Sequence, residues 1–396
     1  MYVITKKKYM KDDDVDTETV HINNAILDNS ITKELESVLK PLNLMEIFFI
    51  CRKYKICNSK ITPNSTVYKV FSIFYTVVLM SVCGFFIFGF SFTLHVNGFE
   101  YFLQFCKILF FYQLAINTVI NCFINVFRSN QIVLFTLKMQ NVYELLSMTD
   151  EIKKLAVSNW WYIVSLHMFH ISWITFSYFF FPGLGADYNI TSYCCTILDT
   201  NLLYAIRTMK LLILPIEEWV RKIKLTRLDE EESWTTMLKV YKYLLEAYGL
   251  FEKKFEILIV VYAIQTTVKA LLAIVIRIEI WKATIGSITI TEYLIFSSLS
   301  LTWIIKNIVL FILLSVESER LYSALEEVQS TCKQFINLNL CSENQKRVCK
   351  NIQRLHRTNF KKMCVCGVFY IDAAMSIQLS SIISTYTIVI LQFEFL

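Results

Sequence analysis

The sequence predicts an all-α, polytopic membrane protein with seven transmembrane helices, a cytosolic N-terminus, an extracellular C-terminus and long cytosolic helical extensions. Of its 396 residues, 55% are hydrophobic, 15% aromatic and only 18% charged, whereas soluble domains carry about 25% charged residues. A mean hydropathy of +0.47, with only four prolines and eight glycines, favours helices over loops. The charged residues also cluster between the apolar runs, which is typical of a chain that crosses a membrane repeatedly.

Runs of about 20 apolar residues mark the spans, because a helix of that length crosses the hydrocarbon core. Seven runs qualify: 67–94, 101–126, 159–181, 190–214, 255–276, 293–316 and 363–393. The last is longer than one span, so we expect a cytosol-proximal piece around 364–372 and a true span from about Ala374. The predicted organisation is a cytosolic segment (1–66), helices one to six with their loops (67–316), cytosolic anchor helices (317–362) and a last helix (363–396).

Lysine and arginine are distributed unequally between the two sides of these runs. The segment through residue 69 holds 11 of them, and the second, fourth and sixth loops hold 4, 8 and 9. The first and third loops and the tail after the last run hold none, and the fifth loop holds two. Because cytosolic loops carry the excess of positive charge, the N-terminus and the even-numbered loops are predicted to be cytosolic.

The third loop provides an independent check on this orientation. It contains a glycosylation sequon at Asn189, which falls on the predicted outer side and makes Asn189 a candidate acceptor. A seven-helix G-protein-coupled receptor has the opposite orientation. The sequence also lacks the Asp-Arg-Tyr and Asn-Pro-x-x-Tyr patterns of that class in its third and seventh runs.

The fourth and sixth loops contain apolar residues at helical spacing with charged residues between them. In the fourth loop this stripe consists of Leu238, Tyr241, Leu245, Tyr248, Phe251 and Phe255. The sixth loop predicts two helices with a turn near 337–342. These segments are either solvated loop helices or a packed intracellular bundle that joins subunits, and the sequence leaves both interpretations open.

No group of residues predicts catalysis or a metal site. Most of the 12 cysteines lie in predicted cytosolic or membrane segments, where thiols stay reduced, and Cys364 and Cys366 lack the partners of a zinc site. His167 and His170 share a helical face, but no matching carboxylates accompany them, so packing and interhelical hydrogen bonding are favoured over metal binding. We expect no enzyme, no cofactor, no metal and no nucleic-acid partner.

Charged residues inside the apolar runs predict a buried polar site. Asp199, Lys107, Lys269 and Lys306 would each cost several kcal/mol in lipid, so they should face a cavity, a partner or the aqueous ends. Aromatic, hydroxyl and amide side chains are dense in the outer halves of the neighbouring runs. They either line an outward-facing small-molecule pocket or belong to interface belts and ordinary packing. The candidate ligand-binding residues are Tyr112, Trp173, Tyr178, Asp199, Gln265, Thr266, Tyr293, Ser297 and Trp303.

The last helix carries a polar stripe with one apolar step. Its members share a face at helical spacing: Gln378, Ser381, Thr385, Ile388, Val389 and Gln392. Small polar residues can pack helices together, which would explain the stripe. Alternatively, several copies surround a water-filled axis, where Ile388 or Val389 forms a constriction that closes by dewetting. Glu394 would then place negative charge at the outer mouth and favour cations.

The end of the chain resembles a known family. The segment 385–393, TYTIVILQF, is similar to the signature of the insect gustatory receptors, which is Thr-Tyr, five hydrophobic residues and Gln-Phe. Thr385, Tyr386, Gln392 and Phe393 occupy the signature positions. The stretch 366–375, CGVFYIDAAM, is similar to the one that the family carries before it. Seven spans, the inverted orientation and the chain length match as well.

This resemblance implies a ligand-gated, non-selective cation channel in the plasma membrane of a chemosensory neuron. Four subunits, identical or related, would surround one pore lined by the second half of the last helix. Gln392 and its neighbours, including Phe393, would form the gate region. The resemblance also implies that long cytosolic helices anchor the subunits, and that each subunit binds a small-molecule tastant in a pocket that opens outward.

The ligand class is less constrained by the sequence. Aromatic-rich walls with few acids suit amphipathic molecules, which favours bitter plant compounds, with a sugar as the alternative. A metabotropic receptor that couples through cytosolic partners is the second functional hypothesis. A transporter is third, because the seven runs show no internal repeat.

Overall fold

The computed structural model describes residues 29–50, 52–91, 98–180, 193–194, 196–225, 231–284, 290–337 and 342–395. Within these residues the fold is almost entirely helical, as the sequence predicts, with two short antiparallel hairpins, β1–β2 and β3–β4. The helices are α1 (Lys33–Phe48), α2 (Thr66–Ser91), α3 (Gly98–Phe127), α4 (Ser129–Leu146), α5 (Asp150–Phe180), α6 (Thr196–Leu225), α7 (Glu231–Thr284), α8 (Ile290–Asn337), α9 (Glu343–Asn359) and α10 (Ala373–Phe395). The strands are β1 (Lys55–Cys57), β2 (Lys60–Thr62), β3 (Cys364–Val365) and β4 (Phe369–Tyr370).

The described part of the segment before the first predicted span packs on the bundle, because α1 contacts α5 and buries its apolar face. Phe49, just past α1, stacks on His167 of α5 with ring centroids 6.2 Å apart. The chain then returns to its starting point, where the Ile31 N–H donates to the Ser59 carbonyl at 2.8 Å. The Ile61 N–H likewise donates to the Asn29 carbonyl at 2.9 Å, so the residues before α1 are hydrogen-bonded to strand β2 and the turn before it.

Each of the seven predicted apolar runs overlaps a helix of the structure. Among the described residues, five helical stretches are long and apolar enough to cross a membrane: Thr66–Phe88, Asp150–Phe180, Ser233–Glu279, Ser297–Asn337 and Ala373–Phe393. Helix α3 contributes a shorter apolar stretch, Phe111–Phe127. Helix α6 carries the charges of Asp199, Arg207 and Lys210 within its apolar part. The count of seven spans and the orientation of the termini stay predictions.

Helices α7 and α8 extend far beyond a membrane thickness. They have 54 and 48 residues, which correspond to about 80 Å and about 70 Å at 1.5 Å per residue. Since a hydrocarbon core is about 30 Å thick, both must continue outside it as unbroken helices. This confirms that the helices of the fourth and sixth loops continue from the adjoining runs. The predicted two helices are also present: α8 ends at Asn337, and α9 begins after Ser342, which forms a capping box with Gln345. The residues of the predicted turn between them, 338–341, lie outside the described residues.

The helical extensions pack into one bundle within the subunit. The apolar stripe of the fourth loop is buried or half-buried there: Leu238, Tyr241, Leu245, Tyr248, Phe251 and Phe255. The Trp219 indole N–H donates to the Met237 carbonyl at 2.8 Å, and the rings of Trp234 and Phe335 meet edge to face. The interpretation of this stripe as part of a solvated loop helix is therefore wrong. That the bundle joins subunits stays a prediction.

The last predicted run divides close to the expected place. A hairpin comes first, and its tight turn requires left-handed backbone at Cys366 (φ 49°) and Gly367 (φ 73°). Asp372 then accepts hydrogen bonds from two N–H groups of the next turn at 3.0 and 3.1 Å, so that α10 begins at Ala373. Residues 363–372 thus precede the last helix and do not belong to it.

Candidate functional site

Helix α10 is attached to its own subunit along one face. Six half-buried positions form that face: Ser376, Leu379, Ser380, Ile383, Thr387 and Ile390. They recur every three or four residues and pack against α7 and α8. The hydroxyls of Ser376 and Ser315 of α8 lie 2.8 Å apart, and the Ala373 N–H donates to the Glu319 carboxylate at 3.0 Å. The start of α10 is therefore fastened to α8.

The predicted pore stripe lies on the opposite face of α10. All six of its described members are exposed: Gln378, Ser381, Thr385, Ile388, Val389 and Gln392. At about 100° per residue, the centre of the stripe lies about 180° from the centre of the packed face. Tyr386 and Phe393 flank the stripe and are exposed as well. The side chain of Glu394 lies outside the described residues.

The stripe directs hydrogen-bonding groups away from the subunit. Among the described residues, no hydrogen-bond partner in the rest of the subunit is found for the side chains of Gln378, Ser381, Thr385 and Gln392. An amide left without a partner in hydrocarbon costs several kcal/mol, so the glutamines in particular need water or another polar surface. The stripe can therefore face water or a neighbouring polypeptide, and lipid is the unfavourable alternative.

Asp199 of α6 lies at the centre of a buried polar cluster. Its carboxylate contacts the Lys306 ammonium of α8 and accepts a hydrogen bond from the Tyr262 hydroxyl of α7 at 2.9 Å. It also lies 3.0 Å from Nε2 of His170 on α5. The Tyr262 hydroxyl is 3.1 Å from the amide of Asn307. One carboxylate thus links α5, α6, α7 and α8, and these five residues are called the Asp199 cluster.

The hydrogen bonds of this cluster determine the orientation of one amide. A hydroxyl carries a single proton, so Tyr262 cannot donate to Asp199 and to Oδ1 of Asn307 at the same time. As placed, Nδ2 of Asn307 has no acceptor among the described residues. Rotating this amide by half a turn lets Nδ2 donate to the tyrosine oxygen while the tyrosine donates to the carboxylate. We therefore assign the rotated amide.

A small polar cavity borders the Asp199 cluster. Its lining residues are Leu198, Asp199, Tyr262, Gln265, Thr266, Lys269, Trp303 and Asn307. The Trp303 ring lies beside two ammonium groups, those of Lys269 and Lys306, each 4.8 Å from the ring centroid. The cavity volume is about 10 Å³, which is enough for about one water molecule. In this state the cavity is closed to a ligand, since ligand pockets are typically about 300–1,000 Å³.

The structure brings part of the predicted pocket together. Four of the nine candidates line the cavity: Asp199, Gln265, Thr266 and Trp303. Tyr112 and Tyr178 lie apart from it and are 51% and 60% exposed. Trp173 stacks on a phenylalanine of its own helix, and the Ser297 carbonyl accepts a hydrogen bond from an arginine of α7. The side chain of Tyr293 lies outside the described residues. Ligand binding by any of the nine stays a prediction.

A chain of amides runs from the cavity to the N-terminal segment. Asn117 of α3 and Gln265 of α7 exchange hydrogen bonds through their amides, one of them 3.3 Å long. Nearby, Asn201 of α6 donates to Asn121 of α3 at 2.6 Å and accepts from the Lys53 ammonium at 2.8 Å. Sequence reasoning identified Gln265 but missed Asn117, Asn121 and Asn201, although an amide inside an apolar run is a signal that could have identified them.

The other sequence-based site predictions have mixed outcomes. Interhelical hydrogen bonding by the two histidines is confirmed, because His167 lies 3.0 Å from the Tyr193 hydroxyl and His170 bonds Asp199. Within the described ranges, no group of three or more His, Cys, Asp or Glu side chains could hold a metal ion. Asn189 and the side chain of Lys107 lie outside the described residues.

Comparison with known proteins identifies a solved structure with a similar fold. No protein-family model matches this chain, and no curated protein sequence matches it either. Among solved structures, the chain is similar to the insect olfactory receptor OR5 from Machilis hrabei, with a TM-score of 0.51 and 12% identity. The similarity covers 90% of this chain and 97% of that receptor. At this level of identity it shows the fold, so this chain has the fold of an insect olfactory receptor.

Proposed function

We propose that this chain is a subunit of a chemosensory receptor that is itself a ligand-gated, non-selective cation channel of the gustatory receptor kind. In this proposal it resides in the plasma membrane of a chemosensory neuron, with seven spans, a cytosolic N-terminus and an extracellular C-terminus. Support comes from the olfactory receptor fold and from the signature at 385–393, which is specific to the end of the last helix.

The observation that carries the proposal is the direction of the polar stripe on α10. Four copies of α10 around a common axis would turn their stripes towards a shared water-filled pore. Water there can hydrogen-bond the amide and hydroxyl groups of the stripe, which lipid cannot do. Ile388 and Val389 lie between Thr385 and Gln392, so a closed pore would be narrowed by apolar side chains and by a ring of amides. Glu394 would add negative charge at the outer mouth and favour cations.

Helix α8 provides a mechanical connection between the cavity and the pore. Trp303, Lys306 and Asn307 meet the cavity or its cluster, and Ser315 meets Ser376 of α10 on the same helix. The distance along α8 from Lys306 to Ser315 is about 14 Å at 1.5 Å per residue. A ligand must part α6, α7 and α8 to enter so small a cavity, and a displacement of α8 would move the start of α10.

The polar wall of the cavity bears on the ligand class. It presents a carboxylate, an ammonium, two amides and two hydroxyls beside the Trp303 ring. Such a wall suits a ligand with many hydroxyl groups, because a ligand that parts these helices breaks hydrogen bonds between them and must replace those bonds with its own. This favours the sugar-responsive alternative, whereas the bitter plant compounds expected from the aromatic-rich sequence would suit a more apolar wall.

The proposal is tested by expressing the chain in cells and recording cation current or calcium entry during a screen of sugars, alkaloids, glycosides and amino acids. Gln392→Ala should change unitary conductance or gating with the activating ligand. Leu391→Ala is the matched control, since Leu391 is 38% exposed next to Gln392 but points about 100° away from it. Wild-type conductance and gating in Gln392→Ala would remove the stripe from the pore.

The metabotropic alternative is separated by reconstitution. Ligand-dependent current through the purified chain in lipid bilayers without G proteins would exclude coupling as the sole mechanism. Silence of the purified chain, combined with a response in cells that requires a G protein, would instead overturn the channel proposal.

A further inference from the structure

Three separate segments place basic side chains at one end of the predicted spans. Arg128 follows α3, Lys253 precedes the apolar part of α7, and Lys361 and Lys362 precede the hairpin that introduces α10. They are close in space, because the Arg128 guanidinium contacts the Lys253 carbonyl, and the hydroxyl of Tyr248, on the same helix as Lys253, donates to the Lys361 carbonyl. These four cations are called the juxtamembrane patch.

The patch is held rigidly by its backbone. The Tyr248 hydroxyl donates to the Lys361 carbonyl at 2.8 Å, and the Met363 N–H donates to the Tyr322 hydroxyl at 3.1 Å. The Lys362 ammonium lies 5.3 Å from the centre of the Tyr322 ring. Because the chain on both sides of Lys362 is fixed by hydrogen bonds, a ligand would meet these lysines with little loss of backbone entropy.

Nearby carboxylates leave the patch positive. The Glu319 carboxylate accepts the Ala373 N–H, and the Asp372 carboxylate accepts the N–H groups of the next two residues of α10. The positive end of the helix dipole compensates Asp372 further. Glu252 and Glu256 are the remaining acids nearby, and both are half-buried. Two acids are thus occupied by backbone donors, and the four cations of the patch outnumber the two acids that are left.

Exposed apolar side chains accompany the cations. Phe127, next to Arg128, is 70% exposed, and Val368 and Tyr370 of the hairpin are 72% and 56% exposed. These apolar side chains would not strengthen the binding of a soluble anion. They would strengthen the binding of an anionic lipid, because the acyl boundary accepts aromatic and aliphatic side chains while the headgroup contacts lysine and arginine.

We propose that the juxtamembrane patch binds anionic lipid headgroups of the cytosolic leaflet, of the phosphoinositide class, with Phe127, Val368 and Tyr370 at the acyl boundary. The site borders the hairpin that leads into α10, so an occupied headgroup site would stabilise the position of the start of the pore helix. The inference rests on the proposed cytosolic placement of this end of the spans and does not require that the chain conducts ions.

Lipid binding is measured by native mass spectrometry on the full chain in nanodiscs of phosphatidylcholine with or without phosphatidylinositol bisphosphate. We expect preferential retention of the phosphoinositide, which decreases as salt increases. The double variant Lys361→Gln/Lys362→Gln should lower this preference by about 25-fold, since each basic side chain near an anionic surface contributes about fivefold. Val368→Asn should lower it further.

The matched control is Lys346→Gln/Arg347→Gln, which removes two cations about 20 Å away along α9. Its lipid preference should equal that of the wild type. Equal retention of both lipids by the wild type, an unchanged preference in the patch variant, an equal loss in the control, or full displacement by inorganic phosphate would each overturn the proposal. If the patch variant fails to fold, the salt dependence of phosphoinositide retention by the wild type is the remaining test. A phosphoinositide preference that persists at high salt would also overturn the proposal. Binding is read without any current, so this result is independent of the channel proposal.

Discussion

Replacing Asp199 with asparagine tests the cluster that links α5, α6, α7 and α8. The side chains of Asp199 and Lys306 are only 7% and 9% exposed, so the substitution leaves a buried ammonium without its counter-charge. Removing one partner of a buried ion pair typically costs about 3–5 kcal/mol. Since the new carbonyl still accepts the hydrogen bond from Tyr262, we expect the lower end, about 3 kcal/mol.

This cost is read as a shift in thermal unfolding of the purified protein in detergent, followed by tryptophan fluorescence at one heating rate. About 3 kcal/mol corresponds to a decrease of about 3–6 °C in a chain of this size. The second substitution Lys306→Met removes the unpaired ammonium and should restore most of the loss. The coupling energy between the two sites should be about 2 kcal/mol.

The control breaks an exposed ion pair instead. Lys224 and Glu327 are 47% and 52% exposed, so Lys224→Met should change the midpoint by less than about 1 °C. A shift of the midpoint in Asp199→Asn no larger than in this control would show that the buried ion pair does not stabilise the fold. Simply additive effects of the Asp199 and Lys306 substitutions would show that the two charges do not interact.

Three further predictions concern other parts of the chain. Glu394→Gln should reduce cation selectivity or conductance in ligand-activated currents, and no effect would remove Glu394 from the outer mouth. Burial lowers the pKa of His356, so the unfolded state binds a proton on this histidine more tightly than the folded state does. The thermal unfolding midpoint should therefore decrease as pH falls through about 6.5. His356→Phe should reduce this pH dependence of the midpoint. An unchanged pH dependence would show that another titrating group causes it. Gly367→Ala should destabilise by about 1–2 kcal/mol, because φ is +73° there although nothing crowds a new Cβ. Gly249→Ala, inside α7 and equally uncrowded, should stabilise by about 0.5–1 kcal/mol, and the same sign for both glycines would contradict this explanation.

The sequence alone identified the apolar parts of the main helices and their continuation into the fourth and sixth loops. Apolar runs of membrane length, the spacing in the fourth and sixth loops and the turn before Ser342 are local signals, because hydrophobic burial and helix capping depend on near neighbours in the chain. The polar stripe of the last helix was equally visible, since Gln378, Thr385 and Gln392 must share a face on any straight helix.

Only the tertiary structure decided where those faces point and which polar groups meet. The rotation of α10 about its axis is set by its packing against α7 and α8, and that packing turns the stripe away from the subunit. The grouping of Asp199 with His170, Tyr262 and Lys306 depends on contacts between four helices. Charge in an apolar run signals that a partner exists, but its identity depends on helix order and rotation, which residues far apart in the sequence determine.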